Sequence, residues 1–206
     1  MAVVQIGSQY WMRENLAIET FQDGTPITEC SSSEQWVDLA TTNTPAWCYY
    51  NFDPSLEEEY GKLYNWYVIS ASNGIAPLGW KVSTESDWNT LISNTGGEKS
   101  SGYKLKSKNN WNTLTRTKGD GTNEYGFTAT PGGFVKENGQ FWDFGWSSNF
   151  WTSTTSSATD AKTVRLYWQN KNTIKLNAHQ DMGFSIRLVH SGTYTGSLDE
   201  NITKDF

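Results

Sequence analysis

The residues of this chain best suited to contact chemistry lie near its C-terminal end, in two stretches that read as one ribbon. Arg165, Tyr167 and Gln169 alternate with Val164, Leu166 and Trp168. After Asn170-Lys171-Asn172, Thr173, Lys175, Asn177 and His179 alternate with Ile174, Leu176 and Ala178. Period-two alternation buries one face of a hairpin and wets the other, so the first-named residues of each stretch are expected outward. A wet face that mixes a phenol, amides, a guanidinium, an ammonium and an imidazole suits adaptable recognition, in which rings anchor and amides adjust. Any half-buried hairpin shows the same alternation, so a plain solvated face fits the pattern too. Trp142 and Trp146, in Phe141-Trp142-Asp143-Phe144-Gly145-Trp146, add indoles in a Gly-containing loop that can stack on sugar rings if exposed. Trp151 and Trp168 have the inward phase and read as core.

Other candidate chemistry is thinner. Asp53, Glu57, Glu58 and Glu59 offer carboxylate oxygens for Ca²⁺, but their spacing is not that of an EF-hand loop, and a solvated acidic run is the better expectation. No CxxC, HxxxH or HExxH spacing marks a metal centre. His179 and His190 have no nucleophile partner in a GxSxG setting, and Gly132-Gly133 belongs to no phosphate-loop pattern. Cys30 and Cys48 are the chain's two cysteines. They can close one loop as a bridge or stand as two free thiols, and neither has a neighbouring basic group to make it a thiolate. Neither a catalytic set nor a cofactor site is expected.

Composition limits the partners. The net charge of −6 argues against nucleic acid and anionic membrane, which need a basic footprint. No apolar run approaches the ~20 residues needed to span a bilayer, so membrane insertion is not expected. Charged residues are 18% and aromatics 15%, with 11 Trp, so rings must build much of the core. The segment from Met1 to Gly7 has no basic stretch, apolar core or cleavage pattern. That suggests a leader removed elsewhere or a route out of the cell that needs none, such as a virus particle.

The elements expected to position the ribbon are as follows. Val3–Ile6 and Tyr10–Met12 form a hairpin around Gly7-Ser8. Residues 13–45 are mostly loop. A helix runs over 61–73 on the spacing of Leu63, Trp66, Tyr67 and Ile69, and ends at Gly74 before Pro77. A second helix starts from Ser83 as N-cap, carries Glu85 and Asp87 in its first turn, and shows Trp88, Leu91 and Ile92 as its stripe. A short helix covers Lys99–Leu105. Strands are expected around Trp111, 127–130, 133–135, 140–143 and 149–153, then the ribbon, then a third alternating strand through Phe184, Ile186 and Leu188.

Several blocks carry a family resemblance: Ile6-Gly7-Ser8-Gln9-Tyr10-Trp11-Met12-Arg13-Glu14-Asn15-Leu16, Tyr60-Gly61-Lys62-Leu63-Tyr64-Asn65-Trp66-Tyr67, Pro77-Leu78-Gly79-Trp80-Lys81-Val82, Asn123-Glu124-Tyr125-Gly126-Phe127, and Gly183-Phe184-Ser185-Ile186-Arg187-Leu188-Val189. In this order they resemble the Fibrobacter succinogenes major paralogous domain over roughly residues 3–190. Leu188 stands where the family often has Cys, so its cysteine arrangement does not carry over. The resemblance implies a C-type-lectin-like fold, related to formylglycine-generating and sulfatase-modifying enzymes and to the variable proteins of diversity-generating retroelements. It also implies that Arg187 is structural.

The expectation is therefore an α+β, C-type-lectin-like domain over 1–190, with two main helices packed on small, mostly antiparallel sheets and long loops, and a polar tail over 191–206. The expected function is ligand binding, as a phage virion component contacting a bacterial surface protein or glycan through the ribbon and the Trp142–Trp146 loop. The tail would meet other virion proteins, and a trimer is the assembly expected of a fibre. The alternatives are a secreted or lipid-anchored bacterial protein for adhesion or polysaccharide binding, placed extracellularly or at the cell surface, and a formylglycine-generating-type enzyme.

Overall fold

The computed structural model describes residues 2–114 and 117–196. It opens with the predicted hairpin: β1 (Val3–Ile6) and β2 (Gln9–Met12) pair antiparallel from Val3↔Met12 to Ile6↔Gln9. Gly7 turns it at φ 61°, a left-handed conformation that favours glycine, and the Asn94 side chain fills the space a Cβ would take.

Residues 13–45 are not mostly loop. They hold β3 (Thr28–Glu29) and α1 (Ser33–Thr41), whose N-cap Ser32 accepts from Gln35 N at 3.2 Å. The helix buries only Trp36 and Ala40. One i,i+4 pair leaves no apolar stripe to read.

β3 joins a three-stranded sheet with β4 (Ala46–Cys48) and β5 (Leu63–Tyr64), and the short helix α2 (Glu57–Tyr60) lies between β4 and β5 in the chain. The helix predicted over 61–73 shrinks to one turn, α3 (Tyr67–Ser70). Leu63 pairs with Cys48 and Tyr64 with Trp47 instead. The buried Asn65 explains this: its Oδ1 accepts from Ala46 N at 3.1 Å and its Nδ2 donates to Thr44 O at 2.8 Å, which ties the segment to its neighbour.

β6 (Trp80–Val82) leads into the two predicted helices, α4 (Glu85–Asn94) and α5 (Glu98–Leu105). The cap of α4 is Thr84 rather than Ser83. Thr84 Oγ1 accepts from Asp87 N at 3.1 Å, and Asp87 Oδ2 accepts from Thr84 N at 2.8 Å. Ser83 is buried and accepts from Trp88 Nε1 at 2.9 Å. β7 (Thr113–Leu114) and β8 (Thr117–Lys118) make a small pair. Trp111 is buried outside any strand, and 127–130 contributes only the bridge Lys106↔Ala129, with Thr128 turned out of extended geometry at φ 52°.

The remaining strands are β9 (Gly132–Val135), β10 (Phe141–Phe144), β11 (Ser147–Thr155), β12 (Asp160–Tyr167), β13 (Thr173–His179) and β14 (Leu188–His190). Five of them form a sheet in the order β10-β9-β11-β12-β13. The predicted third strand does not extend the ribbon. Residues 183–189 are buried throughout, and β14 crosses to a four-stranded sheet, between β2 and β6. β13 is thus left as a sheet edge. The mixture of helices and mostly antiparallel strands is an α+β architecture.

Aromatic cores lie on both sides of the five-stranded sheet. Trp151 and Ala161 pack with Trp47, Tyr64, Trp66 and Phe184 on one side, and Phe150, Val164 and Leu166 pack with Trp11, Trp88 and Trp111 on the other. The described part of the C-terminal segment folds back: the Tyr194 ring lies 5.4 Å from Tyr10 and 5.8 Å from Trp80. The rest of the predicted tail, 197–206, lies outside the described residues.

Candidate functional site

Strand register decides which ribbon side chains share a face. Leu166 pairs with Thr173, Arg165 with Ile174 and Val164 with Lys175. Opposed residues of neighbouring strands point the same way, so an even-numbered residue of β12 stands beside an odd-numbered one of β13. The predicted outward set is therefore split between two faces. Arg165 and Tyr167 share a face with Ile174 and Leu176, while Thr173, Lys175, Asn177 and His179 lie on the face of Val164 and Leu166.

That second face turns toward α4 and α5. Thr173 is buried there, with its hydroxyl 2.7 Å from that of Ser101. Lys175 Nζ lies 2.6 Å from Glu98 and donates to Asn89 Oδ1 at 3.2 Å. Asn177 and Lys175, with Glu85 and Lys162, line a shallow cleft of about 320 Å³. His179 Nδ1 sits 3.3 Å from Asp181, whose other oxygen accepts from the Tyr67 hydroxyl at 2.6 Å. Gln169 is exposed in the turn. Trp146, predicted exposed with Trp142, is part-buried and packs edge-on against Trp168 at 5.0 Å. It belongs to the core margin, since Gly145 at φ 77° turns the chain between the two indoles.

The first face is covered at its centre, where Asn149, Trp151, Ala161 and Thr163 are buried, and open toward its margins. Trp142 of β10 stands opposite Phe134 of β9, Asn149 of β11 opposite Arg165, and Arg165 opposite Ile174. Phe134 packs on Phe184, which packs on Trp151, placing them on the same side as Thr163 and Leu176. Trp142 is 47% exposed and Leu176 42%, with Arg165, Tyr167 and Ile174 part-exposed between them. Arg165 is held from both sides: its Nη2 is ion-paired with Asp143, and its guanidinium lies 4.7 Å from the Tyr167 ring. Its Nε is buried without a hydrogen-bond partner. Lys136 Nζ lies 3.9 Å from the Trp142 ring centroid. The outcome is two exposed apolar anchors flanking a positioned guanidinium–carboxylate pair.

Phe134, Lys136, Asp143, Ile174 and Leu176 were missed as members of this face. Asp143 sits at φ 61°, so simple alternation along β10 does not place it. Ile174 and Leu176 look like core until the register is known.

Other candidate groups have partners or lack reactivity. Glu57 is bound by Lys62 and accepts from the Tyr49 hydroxyl at 3.1 Å. Asp53 accepts from Ser55 N at 2.9 Å, and Glu59 accepts from Asn110 Nδ2 at 2.7 Å. Among the described residues no three His, Cys, Asp or Glu converge as metal ligands. Both cysteines are buried and unbridged; burial pushes the Cys30 thiol up to about 12 and the Cys48 thiol well above its usual value. Neither is poised as a thiolate. Arg187 bonds loop carbonyls: it is fully buried and donates to the oxygens of Met12, Arg13, Phe127 and Thr128 and to Asn15 Oδ1.

No curated protein and no solved structure matches the chain. A family model does match it, over residues 4–190, and by that match the chain belongs to the Fibrobacter succinogenes major domain family.

Proposed function

We infer that this protein is a recognition module that binds a molecule of a bacterial surface through the exposed margin of one face of its five-stranded sheet, called here the open face. The observation that carries this is the row across that face, where half-exposed Trp142 and Leu176 flank the Arg165–Asp143 pair and Tyr167. Trp, Tyr and Arg are the residue types enriched at binding hot spots, and Leu176 adds exposed apolar contact area beside them. A rigid base suits the task, since the buried rings beside these residues on the same face, Trp151 and Phe184, are packed 4.6 Å apart. The C-type-lectin-like fold is part of the same proposal, as is attachment to a bacterial surface, whether the module is carried by a virion or by another cell. A non-enzymatic role is part of the same proposal.

The test is retention on whole bacterial cells. Trp142→Ala and Leu176→Ser should each weaken binding by about thirtyfold, the size of a hot-spot loss. Lys175→Ala and Asn177→Ala, on the opposite face, should leave it within about twofold. Loss of binding after periodate treatment of the cells identifies a glycan target, and loss after protease a protein. Equal retention of all four variants would remove the open face from the function.

A further inference from the structure

The chain contains two cysteines, and the fold brings them to neighbouring positions on adjacent strands. Thr28 pairs with Ala46 and Glu29 with Trp47 in parallel register, and the ladder continues as Cys30 N donates to Trp47 O at 2.8 Å. The next pair in that register is Cys30 and Cys48. Opposed residues of parallel strands share a face at a spacing of about 4.8 Å, within the roughly 4.4–6.8 Å Cα separation that disulfides span. Both side chains enter one apolar cluster with Trp36, Ala46, Leu63 and Val135. The sulfurs are close enough that Cys30 raises the Cys48 thiol further.

We propose that Cys30 and Cys48 are a built disulfide site, a dithiol in a reducing compartment and a bridge once the protein folds in an oxidising one. Cys30 directly follows β3 and Cys48 ends β4, so the bridge would tie the two strands at their C-terminal ends. The bridge would close the loop that carries α1. That helix is tied to the ends of the five-stranded sheet: Ser33 Oγ donates to Gly139 O at 2.9 Å in the β9–β10 turn, and Trp36 Nε1 donates to Asp181 O at 2.9 Å after β13. The site stands whatever the open face binds. With a low-molecular-weight disulfide such as oxidised glutathione as oxidant, one glutathione S–S bond breaks and the Cys30–Cys48 bond forms. The two thiol protons and the electron pair pass to two glutathione thiols.

Because both thiols are buried in the native state, exchange is tested during folding. Unfolded, reduced protein is refolded in a glutathione redox buffer, acid-quenched, denatured and labelled with a maleimide, and its mass is measured. The expected product carries no maleimide and no glutathione, has lost two hydrogens, and melts about 5–10 °C above the reduced form. Cys30→Ser and Cys48→Ser should each retain one labelled thiol or one glutathione adduct. The wild-type count decides by itself if a variant fails to fold. Two maleimides, two glutathione adducts or a disulfide-linked dimer on protein of native circular dichroism would overturn the proposal.

Discussion

Among the described residues three cations, Lys62, Lys106 and Arg187, are buried, and each is accommodated differently. Lys62 meets Glu57 and Glu19 and lies 4.4 Å from the Trp47 ring centroid, so an ion-paired site holds it. Arg187 relies on carbonyl and amide oxygens, and burial pushes its pKa down to about 9. Lys106 lies under the ribbon's turn and donates to the carbonyls of Tyr167, Trp168 and Asn170 at 2.9–3.2 Å, with the Trp111 ring centroid 4.8 Å away. Burial pushes it down to about 8, against the opposing pull of Asp120. Removing such a donor leaves buried acceptors unsatisfied, which costs more than the bond itself contributes. Lys106→Met, similar in length and apolar, should therefore lose about 2–4 kcal/mol in urea unfolding. A loss within about 0.5 kcal/mol, the usual surface range, would show that the turn holds without it. Arg187 was legible as structural through its family block, though not in its choice of loop carbonyls as partners. Lys62 and Lys106 were not, because local sequence carries no sign that a lysine is enclosed by oxygens contributed from far along the chain.

Elements were legible where periodicity and caps agreed. The β1–β2 hairpin and α4–α5 follow from alternation, glycine turns and an apolar stripe. The ribbon was legible as two strands but not in its register. The turn after Tyr167 sets which face each β13 residue takes, and a shift of one residue exchanges the faces. Four of the nine predicted site residues, Thr173, Lys175, Asn177 and His179, lie on the other face for that reason, where Lys175 and Asn177 are exposed, while Arg165, Tyr167 and Trp142 share the first face. The residues over 61–73 fit a helical period, yet the Asn65 bonds and the pairing to β4 outweigh it. At this scale α4 makes a measurable prediction. Burial alone would raise the Asp87 carboxyl, but the hydrogen bonds from Thr84 and Lys81 outweigh it and hold the pKa below the ordinary 3.8. A group depressed on folding stabilises fully above its unfolded value and loses that contribution as pH falls through the folded one. Wild type should thus lose stability as pH drops below about 3.8. Thr84→Ala should cost about 1–2 kcal/mol at pH 7 and show a shallower acid slope in the same range. An unchanged slope would mean that Thr84 does not hold Asp87 ionised.

At the scale of the whole molecule, the arrangement of the sheets makes local melting difficult. β14, from near the end of the described chain, lies between β2, from its beginning, and β6. Arg187, directly before β14, ties Met12, Arg13 and Asn15 to Phe127 and Thr128. The five-stranded sheet separates the two aromatic cores, and its strands β11 and β12 contribute to both. The ribbon therefore cannot leave without opening both cores, and the terminal sheet cannot part without breaking the Arg187 cluster. Such sharing of contacts makes one cooperative unit. Far-UV circular dichroism and tryptophan fluorescence, which samples indoles in both cores, should give superimposable thermal transitions. Amide protons at the centre of β12 should exchange only through global unfolding. A separate, earlier transition in fluorescence, with β12 amides exchanging ahead of those in β2, would mean that the ribbon is an independent unit. The open face would then sit on a mobile flap, and the cost of ordering it would fall on binding.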